Sequence, residues 1–289
     1  MTGATGTVGS SLVAALRAAG HEVKALVQSF AAVPSSWENK VPVVVADLGD
    51  PSSLQAAMTG VDAVYLLVPA DPMMARYERN VIDAAKDAAG RPRVVLHAAA
   101  GFDHKPNAVR FLNAHAQGFA ELRASGLPWT VLAPNGFMQN IFGMAAMVAD
   151  GVLALPAGDA AVSYVDAVDV ATAAATVLTT DGHDDAVYTL TGPDAVTHAL
   201  IAQRLGHVLG YPVRYQPIGE EQARTGTSAG GGSAAWLRDG MIELFGVYRS
   251  GAASAVTGDL PRLVGRPARA LDSFLATHAA ALMRAARTT

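Results

Sequence analysis

Three glycines spaced at three residues, Gly3, Gly6 and Gly9, stand directly ahead of Leu12-Val13-Ala14-Ala15-Leu16-Arg17-Ala18-Ala19, a run of helix formers closed by Gly20. Glycine lets a backbone approach a pyrophosphate closely. A helix start adds unbonded N–H groups and a partial positive charge. Gly3, Thr5, Gly6, Thr7, Val8 and Gly9 are therefore expected to form a dinucleotide cradle. A glycine triplet alone is shared with ordinary turns, so its surroundings decide.

Those surroundings alternate. Segments 22–27, 41–46, 63–68, 93–97 and 129–132 read as strands, with helices at 51–58, 74–89 and 107–125 between the later ones. Such alternation predicts an α/β fold with a doubly wound parallel sheet. Asp50 is the expected N-cap of the helix that Pro51 opens. The glycine turn should follow the central strand, yet only Met1 and Thr2 precede Gly3. The first strand therefore reads as truncated, either by a start placed after the natural one or by a sheet without its middle strand. A missing strand would leave unpaired backbone groups on both of its neighbours.

Residues 1–155 are expected to form mainly the nucleotide-binding domain, and 156–289 mainly a smaller C-terminal α/β lobe with some segments returning to the first domain. In the lobe, 161–165, 186–190 and 213–215 read as strands, and 169–178, 197–209, 234–245 and 270–286 as helices. The glycine-rich stretch 225–233 reads as a flexible loop, with Gly230-Gly231-Gly232 a candidate lid.

Composition removes several classes of function. The chain has 289 residues, 51% hydrophobic and 16% charged, enough for a full core. Without cysteine there is no disulfide, thiolate nucleophile or Cys-ligated metal, and no metal site is expected. A net charge of −4 gives no basic surface for direct nucleic-acid binding. No apolar run has membrane-spanning length and no secretory leader is evident, so a cytoplasmic location is expected.

The run Ala124-Ser125-Gly126-Leu127-Pro128-Trp129-Thr130-Val131-Leu132-Ala133-Pro134-Asn135-Gly136-Phe137-Met138-Gln139-Asn140 resembles the NmrA-like family of atypical short-chain dehydrogenase/reductases. Ala46-Asp47-Leu48, Val165-Asp166-Ala167-Val168-Asp169-Val170-Ala171, Thr189-Leu190-Thr191-Gly192-Pro193 and Val264-Gly265-Arg266-Pro267 carry the same resemblance in the same order. It covers nearly the whole chain. It implies a Rossmann-type fold and either NAD(P)H:quinone reductase activity or cofactor sensing.

It also places Asp47 and Leu48 by the adenine, Pro69 and Ala98 by the nicotinamide ribose, and Asn135, Gly136 and Phe137 at the nicotinamide. Past the second strand stand Gln28 and Ser29, neither an acid for a ribose diol nor an arginine for a phosphate. Both can donate to a phosphate, so NADP(H) is favoured over NAD(H). No Tyr-x-x-x-Lys occurs, and Phe119 and Ala133 stand where relatives often carry a glutamate and an arginine. His115, which matches a histidine frequent in the family, is the remaining catalytic candidate for proton transfer.

Phe102, Phe111, Phe119, Met138, Phe142 and Trp236 suggest a pocket for a flat apolar molecule, a small aromatic or quinone. The leading expectation is an NAD(P)H-dependent reductase of such a substrate, with a homodimer allowed. A catalytically depleted redox sensor and an aromatic-polyketide oxygenase are the alternatives.

Overall fold

Short apolar runs bounded by glycine, proline and aspartate become two- to six-residue strands, and the longer alanine-rich runs become the helices that cover them. The computed structural model describes residues 1–37, 40–104, 109–225 and 232–287. In chain order the first elements are α1 (Thr7–Ala18), β1 (Ala25–Val27), β2 (Val43–Val45), α2 (Pro51–Ala57), β3 (Ala63–Leu66), α3 (Met74–Asp87) and β4 (Arg93–His97). They continue with α4 (Arg110–Ala124), β5 (Trp129–Pro134), α5 (Asn140–Ala146), β6 (Val152–Leu155), β7 (Ala161–Val162), α6 (Ala167–Thr179) and β8 (Ala186–Leu190). The last are β9 (Val196–Thr197), α7 (His198–Leu209), β10 (Arg214–Pro217), α8 (Glu220–Thr225), α9 (Ser233–Arg249), α10 (Asp259–Val264) and α11 (Leu271–Ala285).

Two compact units result: Met1–Ala133 with Ala167–Thr189, and Pro134–Asp166 with Leu190–Thr289. The division after Ala133 differs from the one expected after residue 155. The reason is packing, since Met138, Ile141, Met144, Leu153 and Leu155 share one core with Ile201, Leu205 and Phe274.

In the first unit β3, β4, β5 and β8 form one sheet in that order, and β1 pairs in parallel with β2. The β3–β4 and β4–β5 pairs are parallel too. α1 packs on α6 in one helical layer, while α2, α3 and α4 form another. This is the doubly wound arrangement expected from the alternation. Between β1 and β3 stand only Met1 and Thr2: Leu26 N–H donates to Met1 O at 2.9 Å, and Thr2 N–H donates to Tyr65 O at 3.1 Å. Beside them lies a cavity of about 480 Å³, lined by Leu16, Val23, Leu26, Met58, Ala63 and Val64 among others.

The second unit contains a parallel β6–β10 pair, an antiparallel β7–β9 pair and an α5–α7–α11 helical layer. Strands β6 and β9 and helices α5, α8 and α10 are additions to the sequence reading, and residues 163–165, expected in a strand, leave β7 after Val162. Gly230 and Gly231 of the candidate lid lie outside the described residues, as do Asn107 and Ala108, where the fourth helix was expected to begin. Among the described residues no helix is long and apolar enough to cross a membrane. None of their His, Asp and Glu side chains cluster as a metal site would require.

Candidate active site

In the first unit the glycine turn folds back on itself before the helix starts. Gly6 N–H donates to Gly3 O (3.1 Å), and Gly3 has φ +61°, a left-handed conformation that disfavours a side chain. Gly9 is held by proximity instead, since a Cβ there would lie 2.0 Å from Gly3 O. No side chain caps α1, and the first-turn N–H groups of Thr7, Val8 and Gly9 have no backbone partner outside the helix among the described residues. Thr5, Gly6 and Thr7 are exposed, whereas the Val8 side chain is buried and anchors the helix to the sheet. The turn is therefore shaped and charged to receive a phosphate diester.

The neighbouring strand ends supply further polar groups. Gln28 and Ser29 are exposed just past β1. The parallel register Val27↔Val45 and the bond from Ala46 N–H to Val27 O (3.0 Å) bring the next strand's end alongside. There Asp47 Oδ1 accepts from Gly49 N–H (2.8 Å), and Asp47 N–H donates to Ser53 Oγ (3.0 Å), so this carboxylate shapes its own turn. Asn80 Nδ2 donates to Leu48 O at 2.8 Å and fixes the adjoining backbone. Pro69 is exposed beyond β3, while Ala98 is buried beyond β4 and its N–H donates to Leu132 O (2.9 Å).

Beneath these ends runs a buried polar group that sequence reasoning assembled only in part. His115 Nδ1 lies 2.8 Å from Glu78 Oε1, with the two side chains 7% and 0% exposed. Tyr65 OH lies 2.6 Å from His97 Nδ1. Burial, and secondarily the charge on His115, push His97 down to about 3, so its ring is neutral at ordinary pH. Burial likewise raises the Tyr65 phenol well above its usual range. Glu78 is the residue the sequence reading missed. The signal was present, because Met74, Glu78, Val81, Ile82 and Ala85 share the buried stripe of α3.

One aromatic candidate of this unit, Phe102, is a core residue instead of a pocket lining, while Phe119 is half-buried. Phe102 is 1% exposed and packs edge-on against Phe119 (5.3 Å), which packs in turn against Trp129 (5.1 Å). Edge-to-face rings of this kind bury more favourably against each other than against water. Phe111 is half-buried on α4.

The second unit holds the remaining candidates. Asn135 Nδ2 donates to Ser163 Oγ and to Ala253 O, both at 2.8 Å, and its Oδ1 accepts from Gly136 N–H at 2.9 Å. That side chain is occupied in holding its own loop. Gly136 leaves room for the Tyr248 and Tyr164 rings, whose nearest atoms would lie 2.6 and 2.8 Å from a Cβ. Phe137 bridges to Val165 in parallel. Met138 is a core residue and so departs from the expected pocket lining, and the half-buried Phe142 packs on Phe274 (6.0 Å) and His278 (5.5 Å). Trp236 is half-buried on α9. Tyr164 OH pairs with His198 Nε2 at 2.9 Å, and burial lowers His198 to about 4.

The model of a family described as NAD(P)H-binding matches residues 3–181. The NAD(P)H azoreductase of Xenophilus azovorans is 34% identical over 283 residues, 97% of this chain and 98% of that protein. The (4-alkanoyl-5-oxo-2,5-dihydrofuran-3-yl)methyl phosphate reductase of Streptomyces griseus is also 34% identical, over 97% and 98% of the two chains. Among solved structures, an NADPH-dependent quinone oxidoreductase from Escherichia coli complexed with NADPH superposes with a TM-score of 0.86 at 26% identity, covering 96% of this chain and 98% of its own.

Proposed function

The chain belongs to the NAD(P)H-binding family, and on that premise we propose that it is an NAD(P)H-dependent reductase of quinones or similarly flat, conjugated aromatic acceptors. The observation that carries the reading is the glycine turn. Its three first-turn N–H groups have no partner outside the helix among the described residues, and its Gly9 Cα faces Gly3 O too closely for any side chain. These residues fit a dinucleotide, which when bound supplies a hydride.

The chain's own share of the work is recognition and proton management. Thr7, Val8 and Gly9 N–H groups hold the pyrophosphate, and the exposed Asp47–Leu48 turn receives the adenine. Gln28 and Ser29 donate to a ribose phosphate and carry no charge that would repel it, which favours NADP(H) over NAD(H). Pro69 and Ala98 close the ribose end. His115 holds the proton that a reduced carbonyl oxygen takes up.

Support for the acceptor class comes from relatives named as azoreductase and quinone oxidoreductase. A quinone makes modest demands on a protein acid because solvent can protonate a hydroquinone oxygen. That suits a site without the Tyr-x-x-x-Lys pair.

Purified protein mixed with NADPH and a panel of benzoquinones and naphthoquinones is expected to consume the reduced coenzyme in proportion to quinone added. It should use NADH less well. Coenzyme that stays reduced with every quinone would overturn the reading.

A further inference from the structure

The Glu78–His115 pair is more closely built than a packing role requires. A carboxylate taken out of water is costly unless its oxygens are well partnered. Yet Glu78 is fully buried, and its Oε2 has no hydrogen-bond partner among the described residues. The space it fills is kept open by one residue of α4: a Cβ on Gly118 would lie 1.8 Å from Glu78 Oε2 and 2.8 Å from its Cδ. A glycine in mid-helix is a weaker helix former than alanine, so α4 gives up stability to hold that space. Helix α4 thus carries a seat for the carboxylate and, three residues earlier, the imidazole that the carboxylate grips.

From this, and resting on the reductase reading above, we propose that Glu78 is the positioning residue of His115, holding its Nδ1–H and leaving Nε2 to release the proton. Among the described residues, the charged and titratable groups facing this pair are few. From β4 comes His97, neutral and tied to Tyr65 of β3. On the outer face of α3 and α4, Arg79 and Glu121 pair with each other at 3.2 Å, both about half exposed. Within the reaction the acceptor carbonyl gains a hydride, which carries the electron pair, and one proton. The proton leaves His115 Nε2, the ring becomes neutral with Nδ1–H still on Glu78, and solvent restores the charge.

Glu78→Gln keeps the shape and the hydrogen bond and removes only the charge. Expected are a kcat at least about tenfold lower, an unchanged quinone KM and an unchanged NADPH Kd. In nitrogen-15 NMR of the protein without coenzyme, the His115 Nδ1–H resonance should move upfield in the variant. Gly118→Ala, which displaces the carboxylate without altering charge, should move the same resonance the same way; if it fails to fold, Glu78→Gln alone decides. An active wild type whose Glu78→Gln variant matches it in kcat, with the resonance unmoved, overturns the Glu78 assignment and leaves the reductase reading standing. A wild type that consumes no coenzyme overturns the reductase reading, and is seen before any variant is made.

Discussion

Replacing Gly9 with alanine is expected to weaken NADPH binding roughly a hundredfold, the cost of about two lost hydrogen bonds to a charged phosphate at 1.5 kcal/mol each. The added methyl would lie 2.0 Å from Gly3 O and 2.8 Å from Gly3 C, so backbone must move. Movement there turns the first-turn N–H groups away from the position they share. Gly143→Ala is the control, since nothing lies within 4 Å of a Cβ there and Gly143 belongs to α5 of the second unit. Fluorescence titration of both variants, with melting temperature measured alongside, separates lost recognition from lost folding. Equal NADPH affinity in Gly9→Ala and wild type would remove the turn from the site.

The second large effect concerns stability in acid. His97 and His198 are buried at 5% and 0% exposure, and burial lowers them from the ordinary histidine value of 6.5 to about 3 and about 4. For a base lowered in the folded state, the unfolded chain binds the proton first. Folding therefore releases protons between the two values, and stability rises with pH across that window. The contribution is fully present above pH 6.5 and is lost as pH falls toward 4 and then 3.

Each histidine contributes up to about 1.4 kcal/mol per pH unit, or of order 3 kcal/mol by pH 4. Between pH 5 and 6.5, before most carboxylates protonate, denaturant unfolding should show this slope. His97→Gln should reduce it by up to one proton, at the cost of the Tyr65 hydrogen bond. A stability that is flat from pH 6.5 to 5 would contradict the buried neutral rings.

What could be read from the sequence was whatever is encoded locally. The glycine turn, the strand–helix alternation and the Asp50 cap, which accepts from Ser52 N–H, all depend on neighbours within a few residues. The end of α7 at Gly210, with φ +83°, is of the same kind. Contacts between distant segments were harder to read. The β6–β10 pair joins Val152–Leu155 to Arg214–Pro217, and neither strand alternates cleanly enough to announce a partner.

Phe102 departed from the expected pocket for a related reason. Phe102, Phe119 and Trp129 are close in space because α4 folds onto the sheet, and apolar character alone cannot distinguish a lining residue from a core residue. Glu78 was legible in principle, as a charge inside an apolar stripe. Its meaning depended on Gly118 and His115, which only the packing of α3 on α4 brings to it.

At the centre of this account is the amino-terminal turn as a dinucleotide receptor. Isothermal titration of the folded wild-type protein with NADPH tests it most directly. The account predicts a single saturable isotherm, tighter for NADPH than for NADH. Absence of heat with NADPH, NADP, NADH and NAD alike, from protein that melts cooperatively, would contradict it.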